Sequence, residues 1–314
     1  MIKLRDARYC NLKLFLLYLV LYGHWIEPQI YDSEFILYQY KFIYGFHMPL
    51  FAFLSGLFIR NPDDCVRQIK KILPIYLLLQ GMMTILKASE DLLTPYWVLW
   101  YLLSDCLWLR FGWIWFRIGN KRSGYVCLGM LFLIGALAGY IPWLDRTFSG
   151  SRSIVFLPYF FMGLLCSTDV KWKEHRRLGA LAFACASCLF YLFIRHIPVS
   201  FLYQAGPFGT TENGFLFRCV CYAFGILLCF FFLTFAPGKR FPFTKMGADT
   251  LPAYLLHAPV VFSLRQWNLS WETSMIGSAI LIYAIYKLQQ WTGAVYGIIP
   301  LEGGNGSVRI SRNL

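Results

Sequence analysis

Residues 11–30 read NLKLFLLYLVLYGHWIEPQI, and they settle what kind of chain this is. Lys13 and His24 bracket an uncharged apolar run, and a bilayer core of roughly 30 Å is crossed by about 20 such residues in a helix. The basic residues from Lys3 to Lys13 imitate the start of a signal peptide. The run ends in His24, Trp25 and Glu27, not in the small residues of a cleavage site, so it reads as an uncleaved first span.

Nine more apolar runs, bounded by charges or by Pro and Gly, follow at 38–59, 72–88, 95–115, 124–142, 153–168, 178–195, 215–236, 249–265 and 274–294. With 11–30 they make ten expected membrane helices. The composition agrees, with 58% hydrophobic, 19% aromatic and 14% charged residues in a chain of 314. Mean hydropathy is +0.53. A soluble domain carries about 25% charged residues. The expected architecture is therefore all-α and polytopic, with one transmembrane unit over 1–300. The tail 301–314, rich in Gly, Asn and Ser, is expected to be a short disordered cytoplasmic segment.

A net charge of +13 would suggest nucleic acid in a soluble protein, but in a polytopic one it first marks cytoplasmic loops. Lys3, Arg5, Arg8 and Lys13 precede span one; Arg60, Arg67, Lys70 and Lys71 follow span two; Arg110, Arg117, Lys121 and Arg122 follow span four. Lys171, Lys173, Arg176 and Arg177 follow span six, Lys239, Arg240 and Lys245 follow span eight, and Lys287, Arg309 and Arg312 lie at the C-terminal end. One side thus takes 22 of 29 basic residues, leaving Lys41, Lys87, Arg146, Arg152, Arg195, Arg218 and Arg265 for the other. Both termini are expected in the cytoplasm, with the lipid bilayer as partner and no nucleic acid.

Ten cysteines lie mostly in apolar runs, and the close pairs Cys185/Cys188 and Cys219/Cys221 lack a second pair at zinc spacing, so they read as packing residues and no metal is expected. Gly135 and Gly139 form a G-x-x-x-G that carries no functional weight alone. Trp25, Tyr31, Tyr96, Trp97, Trp143, Trp267 and Trp271 read as an interfacial aromatic belt. The chain has no G-x-S-x-G elbow, Walker loop or H-E-x-x-H motif.

Ionisable groups inside spans are costly and mark sites, pathways or inter-helix anchors. Lys13 and His24 are eleven residues apart, about 20° beyond three helical turns, so they share a face at an axial offset of about 16.5 Å. That offset places Lys13 at the cytoplasmic surface and His24 in the outer half. His47 enters span two from outside and reaches a similar depth, which suggests one site with His24. Pro49 is expected to kink or break span two near Phe46 to Pro49. Glu27 lies within reach of His24 and is placed to orient its ring or to stabilise its protonated form. His257, between Pro252 and Pro259, reads either as a site residue or as a histidine bonded between helices. Asp105 reads as an anchor or a site residue.

Three motifs carry a resemblance. Lys13 and His24 stand in the first span, FHMPLF at 46–51 with Leu54-Ser55-Gly56 in the second, and GADTLPAYLLH at 247–257, which includes Tyr254, in the ninth. Lys70-Lys71-Ile72-Leu73-Pro74 and Trp100-Tyr101 fit the same order. The chain resembles the acyltransferase-3 family of integral membrane O-acyltransferases, nearest the fucose 4-O-acetylase-like branch.

That resemblance implies transfer of an acyl group, commonly acetyl from cytoplasmic acetyl-CoA as co-substrate, to a sugar hydroxyl of a cell-surface glycan or its lipid-linked precursor. It implies a multi-pass protein of a cell membrane, with the bacterial cytoplasmic membrane as the expected one. Some relatives fuse the membrane unit to a soluble domain; here the acceptor is expected to meet the spans and short outer loops.

On this reading Lys13, with Arg8, Arg67, Lys70 or Lys71, holds the CoA phosphates. His24 is general base or acetyl carrier, and His47 or His257 assists an oxyanion or binds the acceptor. Lys13 stands where many relatives have Arg, and Lys lacks the bidentate fork. A secondary transporter or flippase for a glycan-related solute is the rival reading, since buried titratable groups and prolines in spans also describe carriers. Self-association as a homo-oligomer is left open.

Overall fold

The computed structural model describes residues 7–86, 91–265, 267 and 269–295, and its regular structure is helical, with no strand among the described residues. The tail 301–314 and the basic residues Lys3, Arg5, Lys87, Arg309 and Arg312 lie outside the described residues.

Ten long helices follow the ten apolar runs: α1 (Ala7–Ile26), α2 (Glu34–Leu57), α3 (Pro62–Ile85), α4 (Trp100–Ile118), α5 (Lys121–Leu137), α6 (Gly150–Leu165), α7 (Arg176–Leu192), α9 (Gly214–Phe235), α10 (Leu251–Arg265) and α11 (Trp271–Val295). A short helix, α8 (Val199–Leu202), sits in the loop before α9. Four segments, Arg122–Tyr140, Thr147–Leu165, Trp172–His196 and Gly214–Phe235, are long and apolar enough to cross a membrane by length and composition. Several polar side chains of the other long helices line interior cavities. The result is an all-α polytopic membrane protein.

Helix α1 runs through the middle, apolar around most of its circumference and mostly buried, against α2, α10 and α11. The basic end of the bundle collects Arg8, Arg60, Lys171 and Lys173 around one basin, while Arg146, Arg152 and Arg265 gather at the opposite end. Cations thus stand at both ends of the bundle.

Local signals set the boundaries. Ser33 caps α2 through Phe35 N–H, and Asn61 caps α3 through Asp64 N–H at 2.8 Å with Pro62 in the first turn. Helix α3 begins ten residues before the expected span at 72–88, so Arg67, Lys70 and Lys71 stand on its first turns and not in a loop. Helix α2 passes through Pro49 without a break, so of the expected kink or break the break does not occur. Proline costs the helix its bond to the carbonyl four residues back, that of Gly45. That carbonyl faces Gly225 of α9, and α2 is clamped along its length by α6 and α9, which hold it helical.

Glycines permit the tightest crossing. A Cβ on Gly56 of α2 would stand 1.9 Å from Phe160 O of α6, and one on Gly163 of α6 would stand 2.0 Å from Phe53 O. Gly135 and Gly139 are also packing positions, where an added Cβ would strike Tyr222 Oη at 2.0 Å and the Phe208 ring at 2.3 Å. Gly56→Val is therefore expected to lose roughly 1–3 kcal/mol or more through overpacking. Gly129→Ala on α5, with nothing within 4 Å of the new Cβ, should gain up to about 1 kcal/mol in helix propensity. Thermal unfolding in detergent checks the pair; equal stabilities would contradict the crossing.

Candidate active site

Three histidines from three helices meet near the outer end of α1. His24 Nδ1 lies 3.2 Å from Tyr44 Oη of α2 and 3.5 Å from Glu27 Oε2, just beyond the end of α1. The His257 ring of α10 stacks on His24 with centroids 5.6 Å apart and planes at 18°, and Trp97 abuts it edge-on at 4.7 Å. His47 donates from Nδ1 to Ile43 O at 2.7 Å and packs its ring 4.8 Å from Tyr44. The depth match between His24 and His47 is thus realised through Tyr44, which touches both.

Arg265, at the end of α10, donates to His24 O at 2.9 and 2.6 Å and to Glu27 Oε2, and lies 4.8 Å over the Trp97 ring. The Glu27 carboxylate is thereby fixed between His24 and a guanidinium. His257 donates from Nδ1 to Tyr254 O at 2.5 Å, while its Nε2 is buried without a hydrogen-bond partner among the described residues. Tyr254 Oη donates to Val98 O at 2.6 Å.

Two cavities flank this cluster. The outer one, about 450 Å³, is lined by His24, Glu27, Tyr44, His47, Arg152 and Tyr203 among others. The inner one, about 210 Å³, is lined from the basic end inward by Lys13, Lys71, Gln68, Phe58, Ser55 and Asp105. Met48 and Tyr254 line both, so the cavities abut back to back. Along α1 the lining residues are Lys13, Leu17, Val20 and His24, one helical face. Phe58 joins the inner cavity to the basin of about 960 Å³ lined by Arg8, Arg60, Lys171 and Lys173.

The expected residues therefore divide. His24, Glu27, His47 and Tyr254 line the outer cavity, and His257 packs behind His24. Lys13, Lys71 and Asp105 line the inner cavity, where Asp105 accepts from Ser55 Oγ at 2.5 Å; Arg8 lines the basin. Arg67 is brought to neither, because it pairs with Asp64 one turn away, and Lys70 is exposed outside both linings.

Trp97 is not a belt residue but part of the site, and Trp25 is buried against Gly277. Tyr44, three residues before His47, shares its helix face, a spacing visible in the sequence. Arg152 and Tyr203 come from segments with no such signal. Among the described residues four that are not glycine, Trp97, Phe148, Ser149 and Gln204, have positive φ of 26°, 52°, 55° and 53°, and Trp97 and Ser149 line the outer cavity. In the same loop the Thr147 N–H holds the Asp145 carboxyl below its usual range.

Arg265→Ala leaves Glu27 and the His24 carbonyl without their cation. Since the two side chains are 22% and 27% exposed, solvent screens the pair and the expected loss is roughly 1–2 kcal/mol. A double-mutant cycle with Glu27→Gln in chemical unfolding should show coupling between them; additive losses would mean the two groups act separately.

The family model described as Acyltransferase domain, of the acyltransferase-3 family, matches residues 10–287. The nodulation protein NolL of Sinorhizobium fredii (strain NBRC 101917 / NGR234) is similar at 25% identity, over 60% of this chain and 57% of that protein. The chain thus matches little more than half the length of that relative. No solved structure matches it.

Proposed function

The chain belongs to the acyltransferase-3 family and is a membrane acyltransferase, and from that premise we propose that it moves acetyl from cytoplasmic acetyl-CoA to a sugar hydroxyl of a cell-surface glycan or its lipid-linked precursor. The observation that carries this reading is the pair of abutting cavities, cationic at one end and histidine-lined at the other. CoA is a polyanionic nucleotide on a long neutral arm. In the basin, where Asp64, Asp169 and Glu174 also stand, Arg8, Arg60, Lys171 and Lys173 are the groups for the nucleotide phosphates, and Lys13 and Lys71 line the inner cavity for the arm. An offset of about 16.5 Å along α1 then brings the thioester toward His24.

In the neutral His24 ring an Nδ1–H serves Glu27 and Tyr44 as acceptors, which leaves Nε2 as the base. Nε2 takes the proton of the acceptor hydroxyl as its oxygen attacks the thioester carbonyl. The ester C–O bond forms, the C–S bond breaks, and the CoA thiolate recovers the proton from the imidazolium. Attack by Nε2 itself, giving an acetyl-histidine, is the route in which His24 acts as carrier. His47, whose Nδ1 is committed to Ile43 O, offers Nε2 to the acceptor. The Ser55–Asp105 pair and Tyr101 provide polar contacts along the arm. The transporter or flippase reading finds no counterpart in the family match.

In proteoliposomes with a membrane glycan extract as acceptor, release of free thiol from acetyl-CoA reports turnover. His24→Ala is expected to lower kcat about 10²- to 10⁴-fold with the fold kept. Lys13→Ala is expected to raise KM for acetyl-CoA roughly tenfold with kcat little changed. Near-normal turnover without His24, or solute movement with the thioester intact, would overturn the proposal.

A further inference from the structure

Three of the seven basic residues expected on the outer side line one cleft. The outer cavity carries Arg146 and Arg152, and a neighbouring cavity of about 530 Å³ shares Thr94, Arg146 and Tyr203 with it and adds Arg218. Cations on this side run against the positive-inside pattern, so topology gives no reason for them.

Arg152 is held from two sides. Its Nε donates to Tyr203 O at 3.0 Å, and its guanidinium lies 4.6 Å over the Trp100 ring. Among the described residues no carboxylate lies within ion-pair distance of Arg152 or Arg146, although the two are close enough for their like charges to interact. The Asp145 carboxylate, beside Arg146, accepts from Thr147 N at 2.8 Å. Glu27, the one carboxylate in the outer lining, is occupied by Arg265. In the same cavity as His24 the cleft therefore presents a preoriented Arg152 guanidinium without a carboxylate partner, beside the exposed Arg146, whose charge also meets that of Asp145 in the neighbouring cavity.

A guanidinium fork matches phosphate or carboxylate geometry with paired charge-assisted hydrogen bonds. A cavity of about 450 Å³ has the size of a small-ligand site, so an anion on Arg152 would lie close to a hydroxyl at His24. We propose that this cleft is an anionic subsite: the acceptor carries a phosphate or a carboxylate that seats on Arg152 and Arg146 and aims a neighbouring hydroxyl at His24. The proposal rests on the transferase reading for the role of His24, but the anion site itself does not.

The test measures equilibrium binding by quenching of tryptophan fluorescence, with Trp97 and Trp100 in the cavity wall. The protein is held in nanodiscs and titrated with octyl β-glucoside, octyl β-glucuronide and octyl glucosyl phosphate. At least one charged probe is expected to bind roughly tenfold tighter than the neutral one. Which charged probe gains separates a carboxylate from a phosphate. Arg152→Gln and Arg146→Gln should each remove most of the difference, and Arg152→Lys should keep part of it. Should Arg152→Gln fail to fold, the exposed Arg146 provides the deciding variant. Equal binding of all three probes, or a charge preference unchanged in the Gln variants, would overturn the subsite. Loss of thiol release with every probe, alongside an intact charge preference, would count against the transferase reading alone.

Discussion

The rigid span of α1 is the constraint on which the other features depend. A helix advances about 1.5 Å per residue and returns to the same face after eleven residues. Lys13 and His24 are therefore fixed relative to each other by backbone hydrogen bonds alone, whatever packs around them. The neighbouring helices then supply what one face of one helix lacks. From α2 come Tyr44 and His47, from α10 come His257 and Arg265, and from α3 comes Lys71. Most of the rest of α1 is buried, and the face that runs from Lys13 through Leu17 and Val20 to His24 lines the two cavities.

Close packing at the α2–α6 crossing makes this arrangement stiff. Backbone contact at Gly56 and Gly163 locks α2 against α6, and Gly225 brings α9 against the carbonyl that Pro49 leaves without its donor. Side-chain volume moves elsewhere, into aromatic contacts such as Tyr40 on Tyr44 at 3.9 Å and Phe46 on Phe232 at 4.6 Å. Tyr44 is thereby wedged between its own helix and His24, so the imidazole contact is set by packing before any substrate arrives.

The helices and the shared face of Lys13 and His24 on α1 were legible in the sequence because both depend on local quantities, hydropathy over a span and angular period along one helix. The pairing of His24 with Glu27 was legible for the same reason. Arg265 on Glu27, Trp97 against His24 and Arg152 in the outer cavity were not, because each joins segments far apart in the chain. Trp97 was hidden by its composition class, since a tryptophan at a span end reads as interfacial, and nothing in the sequence announces its positive φ. Pro49 misled in the opposite direction on one point: its local rule allows a kink or a break, and the helix is not broken where α6 and α9 pack along it. Lys71 joined the inner cavity while Lys70 did not, a difference of 100° around α3 that a loop assignment erased.

The central claim is that donor and acceptor reach His24 from opposite ends of the bundle, so that the acetyl group crosses while CoA stays behind. Proteoliposomes of uniform orientation, with labelled acetyl-CoA confined to the face bearing the basic basin and a membrane-impermeant glycan acceptor confined to the other, test it directly. The account predicts labelled acceptor on the far side and free CoA retained on the near side. Label appearing only on an acceptor that shares a compartment with acetyl-CoA would contradict it.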